Sequence, residues 1–105
     1  MATLYLDPIE ETSQLLPLIQ TAIQNEINRL ELAIKIAHKR LIPFEKKYNV
    51  TSEKFIADMA AEDLDGGDNE YIHWAGEFKL KERLHLKLNQ LRTITYASAK
   101  LPQPN

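Results

Sequence analysis

The sequence predicts an all-α chain, and three observations carry that prediction. One apolar stripe at helical spacing occupies residues 16–48, a second occupies residues 74–98, and an acidic connector containing Gly66-Gly67 separates them. The expected architecture is an antiparallel hairpin of two long helices, at about 14–48 and 69–99. A short helix at about 52–64 caps it, and two copies pair as a homodimer. The 105 residues make one helical domain, with residues 1–11 as a short extended arm and residues 100–105 as a disordered tail.

Taken in order, Leu4-Tyr5-Leu6 reads as a short extended segment closed by Asp7-Pro8, because proline pushes the residue before it out of the helical region. Thr12 or Ser13 can cap a helix starting near Gln14, with Pro17 tolerated in its first turn. Its apolar stripe runs through Leu16, Ile19, Ile23, Ile27, Leu30, Ile34, Ala37, Leu41, Phe44 and Tyr48. Steps of three and four alternate except for one repeated four between Ile19 and Ile27, a coiled-coil seam with a stutter. Pro43 lies inside the seam and is expected to kink the helix rather than end it, since Phe44 and Tyr48 continue the stripe.

Asn49-Val50 breaks that helix, and Thr51 or Ser52 caps the next, with Glu53 at its positive end. Phe55, Ile56, Met59, Ala60 and Leu64 form the expected buried face of the short helix. Asp65-Gly66-Gly67-Asp68 is a turn, and Asp68 or Asn69 caps the last helix. That helix carries Leu80, Leu84, Leu88, Leu91, Thr95 and Ser98, widened by Trp74, Phe78 and Ile94, until Pro102 and Pro104 forbid continuation. Both long helices approach about 45–50 Å at 1.5 Å per residue, so they match. A seam this long and apolar exceeds what one partner helix covers, which points to a dimer using the first half of the stripe.

Composition narrows the function classes. No cysteine is present, so disulfides and thiolate metal sites are excluded. No apolar run approaches the roughly 20 residues needed to span a bilayer, and the N-terminus lacks the form of a secretory signal; a cytoplasmic location is expected, without membrane contact. Net charge is −2, but it is segregated. Residues 1–26 carry acids and no Lys or Arg, residues 27–52 are basic, residues 53–77 hold eight acids against Lys54, and residues 78–105 are basic again. Such segregation suits either solvated helix faces or a charged partner.

The motifs for chemistry do not close. Glu70-x-x-His73 and Glu82-x-x-His85 match the carboxylate–imidazole pairs of di-iron bundles, yet they lie about 18 Å apart on one helix and cannot share a cluster. The acidic turn from Asp63 fails the calcium-loop register, placing Gly67 at the fifth position and Trp74 where the closing Glu belongs. No nucleophile set or phosphate-cradling loop appears, so neither catalysis nor a cofactor is expected. His38-Lys39-Arg40 with Lys79, Lys81, Arg83, Lys87 and Arg92 could form one basic flank. Aromatic residues that would stack on bases are absent there, so nucleic acid is not the expected partner.

Two stretches carry a resemblance. Residues 47–55, Lys-Tyr-Asn-Val-Thr-Ser-Glu-Lys-Phe, resemble a Tyr-Gly-Met-Ser-Ser-Glu-Glu-Phe pattern, and residues 71–77, Tyr-Ile-His-Trp-Ala-Gly-Glu, resemble Phe-Ile-Glu-Trp-Ala-Gly-Glu. Together with Leu41-Ile-Pro-Phe-Glu45, set against an Arg-Leu-x-x-Phe-Glu run, they look like a group of small helical bacterial and archaeal proteins. These are encoded beside a small toxin-like protein and read as its antitoxin. Two departures stand out: Asp65-Gly66-Gly67-Asp68 replaces a Gly-Glu-Leu-Gly-Asp turn, and His73 replaces an acid. The resemblance covers about residues 27–92 and implies a toxin protein as partner.

The function expected is therefore an antitoxin-like protein that neutralises a small neighbouring toxin, such as a ribonuclease. Glu53, Asp58, Glu62, Asp63, Glu70 and Glu77 are the candidate contacts for a basic partner. Tyr48, Phe55, Trp74 and Gly76 are the candidate structural anchors, the rings packing the cap and the glycine allowing close helix approach. The rival reading is a structural dimeric coiled-coil adaptor with no toxin. A ribbon–helix–helix repressor, suggested by the Leu4–Leu6 arm, would need far shorter helices.

Overall fold

A computed structural model describes residues 3–6 and 12–98. In order these form strand β1 (Thr3–Leu6), helix α1 (Thr12–Tyr48), helix α2 (Ser52–Asp58), a single 3₁₀ turn (Ala61–Asp63), helix α3 (Gly67–Arg92) and strand β2 (Thr95–Ser98). The chain divides into two compact units, one of Leu32–His85 and one of Met1–Glu31 with Leu86–Asn105. The helical class holds: two long helices and a short one make up most of the described residues.

In the Leu32–His85 unit the long helices run antiparallel. Tyr48 meets Glu70, Phe44 meets Trp74, Arg40 faces Glu77 and His38 touches Lys81, so position falls along α1 as it rises along α3. Leu41, Phe55, Leu64, Trp74, Ala75 and Phe78 form the core, with Phe44, Tyr48, Val50, Ile56, Met59 and Tyr71 packed around it. In the other unit Leu30 and Leu88 are the buried apolar residues among those described, and Arg92 reaches Glu31 at 2.9 Å.

Every residue of the α1 seam from Leu16 onward is buried or half-buried, whereas Leu15, Leu18, Leu32 and Ile36 are exposed. The helix continues unbroken through Pro43. It starts at Thr12, which moves Pro17 from the first turn to the second; the side chains of Thr12 and Ser13 lie outside the described residues. Asn49 ends α1 in the left-handed region, at φ 54°, and the Val50 N–H returns to the Glu45 carbonyl at 3.2 Å, a Schellman-type closure.

Helix α3 begins at Gly67, so Asp68 and Asn69 lie inside its first turn rather than capping it, and two helix ends differ more widely from expectation. The short helix does not reach residue 64. It stops at Asp58 because the Asp63 carboxylate accepts the Ala60 N–H at 2.8 Å, offering the backbone a partner outside the helical ladder. Ala60 consequently turns to solvent, while Leu64 stays buried. The last helix does not reach residue 99 either. It stops at Arg92, where Thr93 bonds the Gln90 carbonyl through its hydroxyl at 2.9 Å and the run Thr93-Ile94-Thr95 is β-branched throughout. Residues 95–98 instead pair in parallel with β1, Thr3 opposite Thr95 and Leu6 opposite Ser98. The expected tail at 100–105 lies outside the described residues, as do the side chains of Thr95 and Ser98.

Candidate functional site

Residues 45–77 carry the acidic connector and the anchors that hold it. Trp74 is fully buried and stacks on Phe55 with centroids 3.8 Å apart and planes 3° from parallel. Phe44 and Tyr48 stack against the same indole at 5.4 and 5.7 Å. The indole N–H donates to the Ser52 hydroxyl at 2.9 Å, and that hydroxyl donates to Glu45 at 2.7 Å. The same Glu45 oxygen accepts the Ser52 backbone N–H at 2.8 Å, while Thr51 accepts from the Lys54 N–H at 3.2 Å. Two side chains therefore cap α2, one local and one supplied by α1. Tyr48, Phe55 and Trp74 pack together in this head. Gly76 is not a point of close approach: it is exposed, and a Cβ there would meet nothing within 4 Å.

The six candidate carboxylates divide into two sets. Glu53, Asp58, Glu62 and Asp63 are exposed on α2 and the 3₁₀ turn. Asp58 lies 3.5 Å from Lys54, Asp63 caps the Ala60 N–H, and Glu53 and Glu62 make no ion pair among the described residues. Glu70 and Glu77 turn inward, each with a side chain only 15% exposed. Glu77 sits 3.6 Å from Arg40 and its second oxygen is buried without a hydrogen-bond partner.

Glu70 is the hub of the turn. It accepts the Tyr48 hydroxyl proton, the Lys47 ammonium at 2.9 Å and the Gly66 N–H at 3.2 Å; the Tyr48 oxygen in turn accepts the Asp65 N–H at 2.9 Å. Those hydrogen bonds, from Tyr48 first and Lys47 second, hold the Glu70 carboxyl below its ordinary pKa. Desolvation, followed by the Glu70 bond, pushes the Tyr48 phenol up, and Lys47 is raised by Glu70. The returning carboxylate also explains the glycines. A Cβ on Gly66 would stand 2.8 Å from the Glu70 Cβ, and Gly67 adopts φ +60°.

No group of three or more His, Asp or Glu side chains that could hold a metal ion occurs among the described residues. Glu70 is committed to Tyr48 and Lys47, and His73 is exposed with its ring edge-on to Phe44 at 5.4 Å. On the basic flank, Lys81 approaches the His38 Nδ1 at 3.1 Å and Arg40 faces Glu77. No helix is long and apolar enough to cross a membrane among the described residues.

Glu45, Ser52 and Lys47 were not legible as partners from the sequence. The only signal is positional: Glu45 precedes the Asn49 break by one turn, where a long acid can reach the next helix start. No family model, curated protein or solved structure matches the chain.

Proposed function

We propose that this chain is a non-catalytic, antitoxin-like protein that binds and neutralises a small basic toxin, such as a ribonuclease, in the cytoplasm. The contact is the acidic connector, at Glu53, Asp58, Glu62 and Asp63. One observation carries the assignment of that surface: four carboxylates stand in solvent on a connector whose backbone is fixed by the Trp74–Ser52–Glu45 chain and the Glu70 hub. A preorganised charged face loses little conformational entropy on binding and steers a cationic partner toward itself. The motif residues support the same reading, since those quoted for the resemblance are the ones that build this head. The working species is a homodimer.

Co-expression with the neighbouring frame tests the function. The expected result is a frame that is toxic alone and silenced by this chain, through a complex that weakens as salt is raised. A harmless frame, or a toxic one that is neither bound nor rescued, returns the chain to the rival adaptor role, for which the exposed Leu15 and Leu18 are the favouring observation.

A further inference from the structure

The unit of Met1–Glu31 with Leu86–Asn105 has a less complete core than Leu32–His85. Its only apolar side chains buried to near completion, among the described residues, are Leu30 and Leu88. Leu16, Ile19, Ile23 and Ile27 remain half-buried, and Leu15 and Leu18 are 40% and 66% exposed. At about 100° per residue, the apolar arc of this half of α1 runs from Leu18 at one edge, through Ile19 and Ile23, to Ile27 at the other, roughly 180° in all. A seam against one helix needs a much narrower stripe, so an arc this wide fits a helix with two neighbours. The Ile27 edge already has one: Ile23 and Ile27 share an open cleft of about 370 Å³ with Leu91 and Ile94. The opposite edge, Leu15, Leu18 and Ala22, is exposed.

Charge indicates what covers it. From Thr12 to Asn25 the helix carries no charged residue at all; its polar positions are Thr, Ser, Gln and Asn. A two-fold interface pairs residue i with j and j with i, and residues at the axis face their own copy, so any charge close to the axis meets its like. Fourteen consecutive uncharged residues on a half-exposed helix remove that repulsion, and the centres of interfaces are depleted of charge in the same way. A charged partner, by contrast, finds nothing here to pair with.

We propose that the first half of α1 pairs with the same segment of a second copy, antiparallel across a two-fold axis, with Leu15, Leu18 and Ala22 at its centre. This locates the interface of the homodimer invoked above on residues other than those of the acidic connector. It rests on that reading only for the dimeric state, and self-association is measured on this chain alone.

The chain has no cysteine, so single cysteines report cleanly. Sedimentation of the full chain should give a dimer at micromolar concentration. Leu18→Lys and Leu18→Glu should each weaken it at least tenfold with helicity unchanged, and mixing the two should restore a dimer. Under mild oxidation Leu18→Cys should cross-link, while Ile72→Cys, 68% exposed in the other unit, should not. A monomeric wild-type chain overturns the proposal. So does a dimer indifferent to both Leu18 charges, or one that cross-links through Ile72→Cys instead. If monomeric protein still binds the neighbouring toxin, this interface fails and the antitoxin reading stands.

Discussion

The Trp74 indole N–H donates to the Ser52 hydroxyl, and that hydroxyl donates to Glu45, so one chain of hydrogen bonds ties α3, α2 and α1 together. Trp74→Ala removes the ring on which Phe44, Tyr48 and Phe55 stack and should cost about 3–5 kcal/mol in thermal or urea unfolding. Ser52→Ala removes the hydroxyl between the indole and Glu45 while keeping the rings and the backbone N–H bond to Glu45; the orphaned indole N–H should cost about 1–3 kcal/mol. Glu70 gives a pH signature instead. Its folded pKa is depressed, so its contribution is present above the unfolded carboxyl value, near ~4.3, and is lost as pH falls through the folded value. Tyr48 is raised, so its share is present below ~10 and is lost as pH rises through the folded value. Unfolding measured across pH should show the acid limb shrink in Glu70→Gln; an unchanged limb would mean other carboxylates carry it. The aromatic anchors were legible because large rings at seam spacing have nowhere else to go. The Glu45–Ser52 and Glu70–Tyr48 bonds were not, because a carboxylate's partner depends on how two helices are set against each other, which no local pattern encodes.

Among the elements, α1 was the most legible. A 3-4 repeat sustained over ten positions tolerates a misplaced proline, and the helix passes through Pro43 with its seam intact. That proline still removes the N–H that would bond the Lys39 carbonyl, and it is exposed. Pro43→Ala should therefore stabilise the chain by roughly 1–3 kcal/mol, the upper figure being the Ala–Pro difference in a helix interior. Chemical denaturation reads the gain directly. The two helix ends that moved furthest share one cause. Asp63 and Thr93 each bond a nearby backbone group, and such local bonds compete with the helical ladder at a cost too small for periodicity to register. A stripe that continues past such a residue, as Leu64, Thr95 and Ser98 do, looks helical in sequence although the backbone has already left the helix.

For the whole molecule, the two units divide the labour. Leu32–His85 holds the packed aromatic core and the exposed carboxylates; Met1–Glu31 with Leu86–Asn105 holds the uncharged, partly covered helix face. Function in this reading follows from placing a fixed acidic surface on the first unit and self-association on the second. The surface was only partly legible. Six of the eight carboxylates within residues 53–77 suggested an acidic face, but Glu70 and Glu77 turn inward, so the sequence overstated it by two. The direct measurement is a binding titration of the neighbouring-frame protein against the wild-type chain and a Glu53→Lys, Asp58→Lys, Glu62→Lys variant. Binding by the wild type, lost by at least a hundredfold in the variant while its melting temperature and dimeric state are kept, is the expected result. Equal affinity for both proteins would contradict the acidic connector as the toxin-binding surface.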